Sequence, residues 1–205
     1  MNAGSLSRLR VTGQFAPLIG ILVGALGGAI YWLAAQIWPS SVAVILAMSA
    51  TALLTTEFRE AAATRLDLIG RVLCLLIKYD ALMALSAAKL PFAIPANLPL
   101  ALIMICGYGA SFALLVFIVA ARAEGSAPKI GHGALAFALL IGFAPAVLLG
   151  VPGLVGLAAA IVAGMVLIAL LRYRKIRAAD GAVHLTQLAT EGCFYLGALA
   201  SWRFV

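Results

Sequence analysis

Long apolar runs alternate with short polar connections along the whole chain. Seven runs are apolar over lengths that suit a helix crossing a membrane. Bilayer hydrocarbon offers no hydrogen bonds to an open backbone, so these runs are predicted to be helices. A tight turn at Pro152-Gly153 is predicted between the fifth and sixth spans. The predicted spans lie at about 16–38, 41–56, 68–88, 98–121, 134–151, 154–171 and 184–202.

Composition agrees with this pattern. The chain has 205 residues, of which 65% are hydrophobic and 10% are charged, whereas a soluble domain has about 25% charged residues. The predicted fold class is therefore all-α, a polytopic transmembrane helical bundle of about seven spans. Residues 1–205 are predicted to form a single integral membrane domain, with the lipid bilayer as its expected partner.

The basic residues collect on one side of the predicted bundle. The net charge is +7, and the positive-inside rule explains this excess without a nucleic-acid partner, so none is expected. The opposite side receives only Lys89 and Arg203. We therefore expect the N-terminus in the cytoplasm and the C-terminus outside. The predicted cytoplasmic side holds Arg8, Arg10, Arg59, Arg65, Arg122, Lys129, Arg172, Arg174, Lys175 and Arg177.

Three glycines of the first span, Gly20, Gly24 and Gly28, recur at every fourth residue. This spacing puts them on one helical face, where the missing side chains allow a second helix to approach closely. The pattern predicts a packing face for another helix of the chain or for an oligomeric partner. It carries no chemistry.

A polar connector, residues 57–67, follows the second span. Its acids Glu57, Glu60 and Asp67 supply carboxylate oxygens of the kind that bridge Mg²⁺ to phosphate groups. Two arginines interleave these acids, and an ordinary amphipathic cytoplasmic connector has the same mixed charge. Both interpretations of the connector stay open.

The third span carries charges within its apolar run. Asp67, Arg71 and Lys78 fall on one helical face, and Asp67 and Arg71 are spaced to pair. Lys78 lies deeper, where it either faces a phosphate in a cavity open to the cytoplasm or forms an ion pair that holds helices together. Asp80 points away from this face and is expected to be a structural partner for another helix.

A basic loop, residues 172–183, precedes the last helix, which carries a polar stripe. Asp180, His184, Gln187 and Glu191 recur on one face of this helix. A carboxylate and an imidazole one turn apart can ligate a divalent cation. The other interpretation is a row of interhelical hydrogen bonds in the centre of the bundle.

Four segments of the chain form a recognisable set. The most specific is FAPLIGILVGAL, residues 15–26, and the pattern continues through residue 56 with the Trp38-Pro39 pair. The other segments are KYDAL at 78–82, ARAEG at 121–125 and EGCFYLG at 191–197. Together they resemble the cobalamin synthase family, the adenosylcobinamide-GDP ribazoletransferases of bacterial inner membranes, and the resemblance covers most of the chain.

The resemblance implies an enzyme that joins α-ribazole or its phosphate to adenosylcobinamide-GDP, releases GMP and requires Mg²⁺. It implies corrinoid and nucleotide substrates and a multi-pass protein of the inner membrane. On this basis Lys78 and Asp180 are the candidates to face the diphosphate, and Glu57, Glu60 and Asp67 are the candidate metal ligands.

One segment departs from the family's pattern. The family's signature after the second span is close to DGLADxxDG, followed by DSRxGxxG, whereas residues 59–65 here read REAAATR. Ala61 and Arg65 thus stand where the family has aspartates, and near the tail only Asp180 remains. The alternative to an active transferase is a non-catalytic relative that serves as a membrane scaffold or partner protein.

Overall fold

The structure is a computed structural model that describes residues 15–55, 65–87, 98–122, 131–173 and 180–201. Most of the polar connector 57–67 and part of the basic loop 172–183 lie outside these ranges. The described residues form seven α-helices, one for each predicted span. These helices are α1 (Ala16–Ala34), α2 (Ser40–Leu54), α3 (Arg65–Ala87), α4 (Leu98–Arg122), α5 (His132–Leu148), α6 (Val151–Tyr173) and α7 (Asp180–Ser201).

Three of the seven described helices have the length and composition of membrane spans. Among the described residues, Ala16–Ala34, Leu98–Ala121 and Val151–Leu170 are long and apolar enough to cross a bilayer, and α2 and α5 are shorter apolar helices. The two remaining helices, α3 and α7, contain charged residues. The predicted fold, an all-helical membrane bundle, is confirmed.

The turn between α5 and α6 was predicted at the wrong place. Pro152 and Gly153 lie inside the first turn of α6, and the chain turns at Leu149 and Gly150. Proline fits a first helical turn because the N–H that it lacks has no partner there. Gly150 has a φ of 74°, in the left-handed region that glycine adopts without steric cost.

Helix α4 lies at the centre of the bundle and contacts α1, α3, α5, α6 and α7. In the most apolar stretch of each helix, 67% of α4 is buried, against 33% of α1 and 28% of α6. Buried apolar side chains of α4 such as Ile103, Met104 and Leu114 belong to the main core. The core therefore forms around α4, and the outer helices expose apolar side chains on their far sides, as lipid-facing helices do.

The glycine face of α1 packs against α4. A methyl group at Gly24 would lie 2.8 Å from the Cα atom of Ile105, and one at Gly28 would lie 2.9 Å from the carbonyl oxygen of Ala101. Gly20 approaches the carbonyl oxygen of Tyr108 in the same way, at 2.7 Å. The predicted packing face is confirmed, and the helix that it meets belongs to the same chain.

Helices α3 and α7 are parallel neighbours. Gly70 of α3 lies against Leu185 of α7, and Ile77 lies against Gly192, seven residues further along both helices. By contrast, α1 and α4 are antiparallel, because the order of contacts in that pair is reversed. The N-terminal turns of α3 and α7 therefore lie at the same end of the bundle, next to each other.

Candidate functional site

Four polar side chains meet where α3, α4 and α7 come together, and we call them the Lys78 cluster. The Nζ atom of Lys78 lies 2.9 Å from Oε1 of Glu191 and donates a hydrogen bond of 2.7 Å to the hydroxyl oxygen of Tyr108. The hydroxyl group of Tyr195 donates a hydrogen bond of 2.8 Å to the same Oε1 atom. One carboxylate oxygen thus accepts from two groups, and the ammonium group joins three helices.

The Lys78 cluster is buried. Lys78 and Glu191 are 1% and 0% exposed, and both tyrosines are fully buried. A buried charge in a low-dielectric interior is tolerated when an opposite charge and hydrogen bonds compensate for the lost hydration. The structure meets this requirement, and the interpretation of Lys78 as an ion-paired lysine that holds helices together agrees with the geometry.

A glycine in α4 makes room for the cluster. A methyl group at Gly107 would lie 2.7 Å from the hydroxyl oxygen of Tyr195 and 2.5 Å from its Cε1 atom. The phenol ring of Tyr195 therefore packs directly on the α4 backbone at this residue. This contact sets the distance between α4 and α7 at the depth of Glu191.

The polar stripe of α7 continues from Glu191 towards the N-terminus of that helix. Gln187 is 3% exposed, and its Nε2 atom has no hydrogen-bond partner among the described residues. The hydroxyl group of Thr190 donates to backbone oxygens of Thr186 and Gln187. For Glu191, the predicted role in interhelical hydrogen bonding is confirmed.

The structure gives different surroundings to the charged residues of α3. Arg71 and Lys78 are both buried, at 7% and 1% exposure, which confirms that they share a face. Asp80 points away from that face, as predicted, but it is exposed. The expectation that Asp80 packs as a partner for another helix is not met within the described part of this chain.

The backbone positions of Asp67 and Asp180 lie at one end of the bundle. Asp67 lies in the first turn of α3, and Asp180 is the first residue of α7, so the parallel packing of these helices brings both backbone positions to the same end. The side chains of Asp67, Asp180 and His184, and the whole of Glu57 and Glu60, lie outside the described part of the structure. Their roles as ligands stay predictions.

The structure does not bring Lys78 to this end. Lys78 lies eleven residues beyond Asp67, which corresponds to a depth of about 16 Å at 1.5 Å per helical residue. Glu191 lies at the same distance along α7 from Asp180. A single diphosphate group is too short to contact both levels.

Within the described ranges, no three His, Cys, Asp or Glu side chains lie together in a way that could hold a metal ion. The two acids whose side chains are described are Asp80, which is exposed, and Glu191, which is bound to Lys78. Neither one supplies a site for Mg²⁺.

Sequence reasoning missed Tyr108 and Tyr195. One signal was available for Tyr195, because it follows Glu191 by four residues and therefore shares its helical face. Tyr108 stands between Gly107 and Gly109, which marks a place of close helix approach, but nothing in the sequence pairs it with Lys78.

Comparison with known proteins connects the chain to one family. The family model described as cobalamin-5-phosphate synthase matches residues 4–60. An adenosylcobinamide-GDP ribazoletransferase from Leptothrix cholodnii is 46% identical over 52 residues, which cover 25% of this chain and 20% of that protein. No solved structure shows significant similarity to the chain.

A second relative extends the similarity along most of the chain. An adenosylcobinamide-GDP ribazoletransferase from Ralstonia nicotianae is 32% identical over 190 residues, which cover 76% of this chain and 69% of that protein. The seven-helix membrane bundle and a match of this extent lead to one assignment. The chain belongs to the cobalamin-5-phosphate synthase family.

Proposed function

We propose that the protein is an adenosylcobinamide-GDP ribazoletransferase, which joins α-ribazole or its phosphate to adenosylcobinamide-GDP and releases GMP. The observation that carries this proposal is the 32% identity to a ribazoletransferase over 69% of that protein's length. The reaction belongs to a late stage of cobalamin biosynthesis. The substrates are a corrinoid nucleotide and a nucleoside or its phosphate.

We place the protein in the bacterial inner membrane with its N-terminus in the cytoplasm. The parallel packing of α3 and α7 supports this topology, because it agrees with both helices starting on the side that the sequence predicts to carry most of the Lys and Arg residues. Nucleotide substrates are cytoplasmic and anionic. A basic cytoplasmic end of the bundle would attract them by long-range electrostatics.

We assign the reaction to this cytoplasmic end of the bundle. Mg²⁺, when bound, would neutralise charge on the diphosphate and on the departing phosphate group. Neither acid with a described side chain suits this ion, and Glu57, Glu60 and Asp67 are the candidate ligands by resemblance to the family. Asp180 is the candidate to face the diphosphate, and its place at the start of α7 beside the start of α3 supports this role.

We assign Lys78 a positioning role in place of direct contact with the diphosphate. Its ammonium group is bound to Glu191 and Tyr108 deep in the bundle. This link fixes α3 against α7, and these are the helices whose first turns carry Asp67 and Asp180. Displacement of one helix relative to the other would change the distance between those two positions.

A specific observation favours a second candidate function, a non-catalytic scaffold or partner protein. Ala61 and Arg65 occupy positions where the family pattern has aspartates. A neutral side chain and a cation at a metal–diphosphate site remove charge stabilisation of the transition state. The bundle itself does not depend on these residues, so the fold would survive the loss of activity.

A reconstitution assay tests the proposal. The purified protein in proteoliposomes receives adenosylcobinamide-GDP, α-ribazole and Mg²⁺, and GMP and the cobalamin product are measured together. The proposal predicts equal amounts of both products and their loss in a Glu60→Ala, Asp67→Ala double variant. Protein that is folded in the vesicles and forms neither product would support the scaffold function.

A further inference from the structure

Asp80 lies on the outer surface of α3, within an apolar stripe. Neighbouring residues along this face are strongly exposed, including Ile69 at 63%, Leu73 at 56% and Leu76 at 55%. The helical period places Asp80 in line with them. We call this surface the Asp80 stripe; it consists of Ile69, Val72, Leu73, Leu76, Ile77 and Asp80.

Asp80 lies well between the two ends of the bundle. Asp80 stands two residues after Lys78 in α3, and the ammonium group of Lys78 reaches Tyr108. Tyr108 lies near the midpoint of α4, Leu98–Arg122. Measured along α3, Asp80 is about 10 Å from the end of the helix at Ala87, at 1.5 Å per residue. An aspartate side chain is too short to reach the interface from there.

An acidic side chain at this depth is costly when it faces lipid. Such residues normally face the bundle interior or pair with another polar group. The other charged side chains described in α3, Arg71 and Lys78, are both buried on the opposite face. The described part of the bundle therefore brings no basic side chain to Asp80.

The described part of a second copy brings no cation to Asp80 either. Arg71 and Lys78 are the Lys and Arg residues whose side chains the structure describes, and both are buried in every copy. This favours a different protein as the source of a cation at the depth of Asp80.

We propose that the Asp80 stripe docks a transmembrane helix of another protein, with a Lys or Arg side chain of that helix opposite Asp80. A groove between α2 and α3, about 460 Å³ in volume, runs beside the stripe and gives the partner's apolar side chains a place to pack. Its lining residues include Met48, Ser49, Leu53, Val72, Leu76 and Tyr79. The proposal does not depend on ribazole transfer.

The test uses a model helix as the partner. A Leu/Ala transmembrane peptide, matched to α3 in length and with one Lys at its centre, is titrated against the full chain in phosphatidylcholine vesicles. Energy transfer between labels on the two molecules reports association, and a peptide with Leu at the centre is the reference. An interhelical polar contact in a membrane makes association about three- to thirty-fold tighter than the same association without that contact. We expect this difference in affinity between the Lys peptide and the Leu peptide.

Variants distinguish an effect of the Asp80 carboxylate from an effect of any exposed polar residue. Asp80→Asn should bring the Lys peptide close to the affinity of the Leu peptide, whereas Gln36→Leu, a change at an exposed polar residue near the end of α1, should leave the difference intact. Equal affinity of the two peptides for the wild-type chain would overturn the proposal. Self-association of the wild-type chain that disappears in Asp80→Asn would also overturn it, because the stripe would then be an interface between copies.

Discussion

The ammonium nitrogen of Lys78 lies 2.9 Å from Oε1 of Glu191, and the two side chains are 1% and 0% exposed. This ion pair joins α3 to α7 in the interior of a membrane bundle, and the hydroxyl groups of Tyr108 and Tyr195 form hydrogen bonds with it. The pair fixes the two helices whose first turns carry Asp67 and Asp180. We regard it as the structural link between the membrane core and the proposed reaction end.

Removal of one partner of this pair should destabilise the protein far more than removal of both. Lys78→Met leaves the Glu191 carboxylate buried without its counter-charge, and loss of one partner of a buried ion pair costs about 3–5 kcal/mol of the free energy of unfolding. The Lys78→Met, Glu191→Leu double variant should recover most of this loss. Denaturant unfolding in detergent micelles measures both variants, and a double variant no more stable than Lys78→Met alone would contradict the assignment.

The hydroxyl group of Tyr195 should contribute measurably to the same cluster. Tyr195→Phe removes one hydrogen bond to Glu191 and leaves the ring on Gly107, so we expect a loss of about 1–3 kcal/mol. Tyr79→Phe is the matched control, because Tyr79 is half-buried and outside the cluster. The same unfolding measurement applies, and equal effects of the two substitutions would count against a specific role for Tyr195.

The contact between α1 and α4 should be sensitive to a single methyl group. In Gly24→Ala the new methyl group would lie 2.8 Å from the Cα atom of Ile105, so the helices have to separate. We expect a loss of about 1–3 kcal/mol, typical of overpacking. Gly133→Ala in α5 is the control, since no neighbouring atom of the described residues lies within 4 Å of its added methyl group. Similar melting temperatures for the two variants would contradict the close approach.

The turn between α5 and α6 depends on the backbone of Gly150. Gly150 has a φ of 74°, and a residue with a side chain adopts this φ at a cost of about 1–2 kcal/mol. Gly150→Ala should therefore destabilise the protein by that amount. Gly131→Ala is the comparison, because Gly131 has a φ of −61° and an added methyl group there meets no atom of the described residues within 4 Å. If Gly131→Ala lowers the free energy of unfolding as much as Gly150→Ala does, the backbone argument fails.

Activity should depend on the acids of the connector. Asp67→Asn keeps the size of the side chain and removes its charge, and the loss of a metal ligand should lower kcat/KM about 100-fold, which corresponds to ~2.7 kcal/mol of transition-state stabilisation. The Mg²⁺ concentration for half-maximal activity should rise as well. A variant with wild-type kinetics and an unchanged Mg²⁺ requirement would exclude Asp67 as a ligand.

The sequence predicted the helices because membrane spans are local features. Each apolar run became one helix, and the glycine repeat of α1 correctly indicated a packing face, since both signals come from one helix alone. The turn at Gly150 was misplaced because Pro152 and Gly153 look like a turn yet also fit the start of a helix. A pattern of residue types does not choose between these two uses.

The Lys78 cluster could be predicted only in part. The faces of Lys78 on α3 and of Glu191 on α7 followed from the helical period, but their pairing depends on which helices become neighbours. That choice is made by packing around α4, including the contact between Gly107 and Tyr195, and involves residues far apart in the chain. The exposed position of Asp80 has the same origin, because no described helix packs on that side of α3.

Complementation tests the central claim most directly. The protein is expressed in a bacterium that lacks its own cobalamin synthase and is supplied with cobinamide and the lower base, under conditions where growth requires cobalamin. Our account predicts growth with the wild-type chain and its loss with the Glu60→Ala, Asp67→Ala variant present in the membrane in equal amount. Failure of the wild-type chain to support growth, although it is folded in the membrane, would contradict the ribazoletransferase assignment.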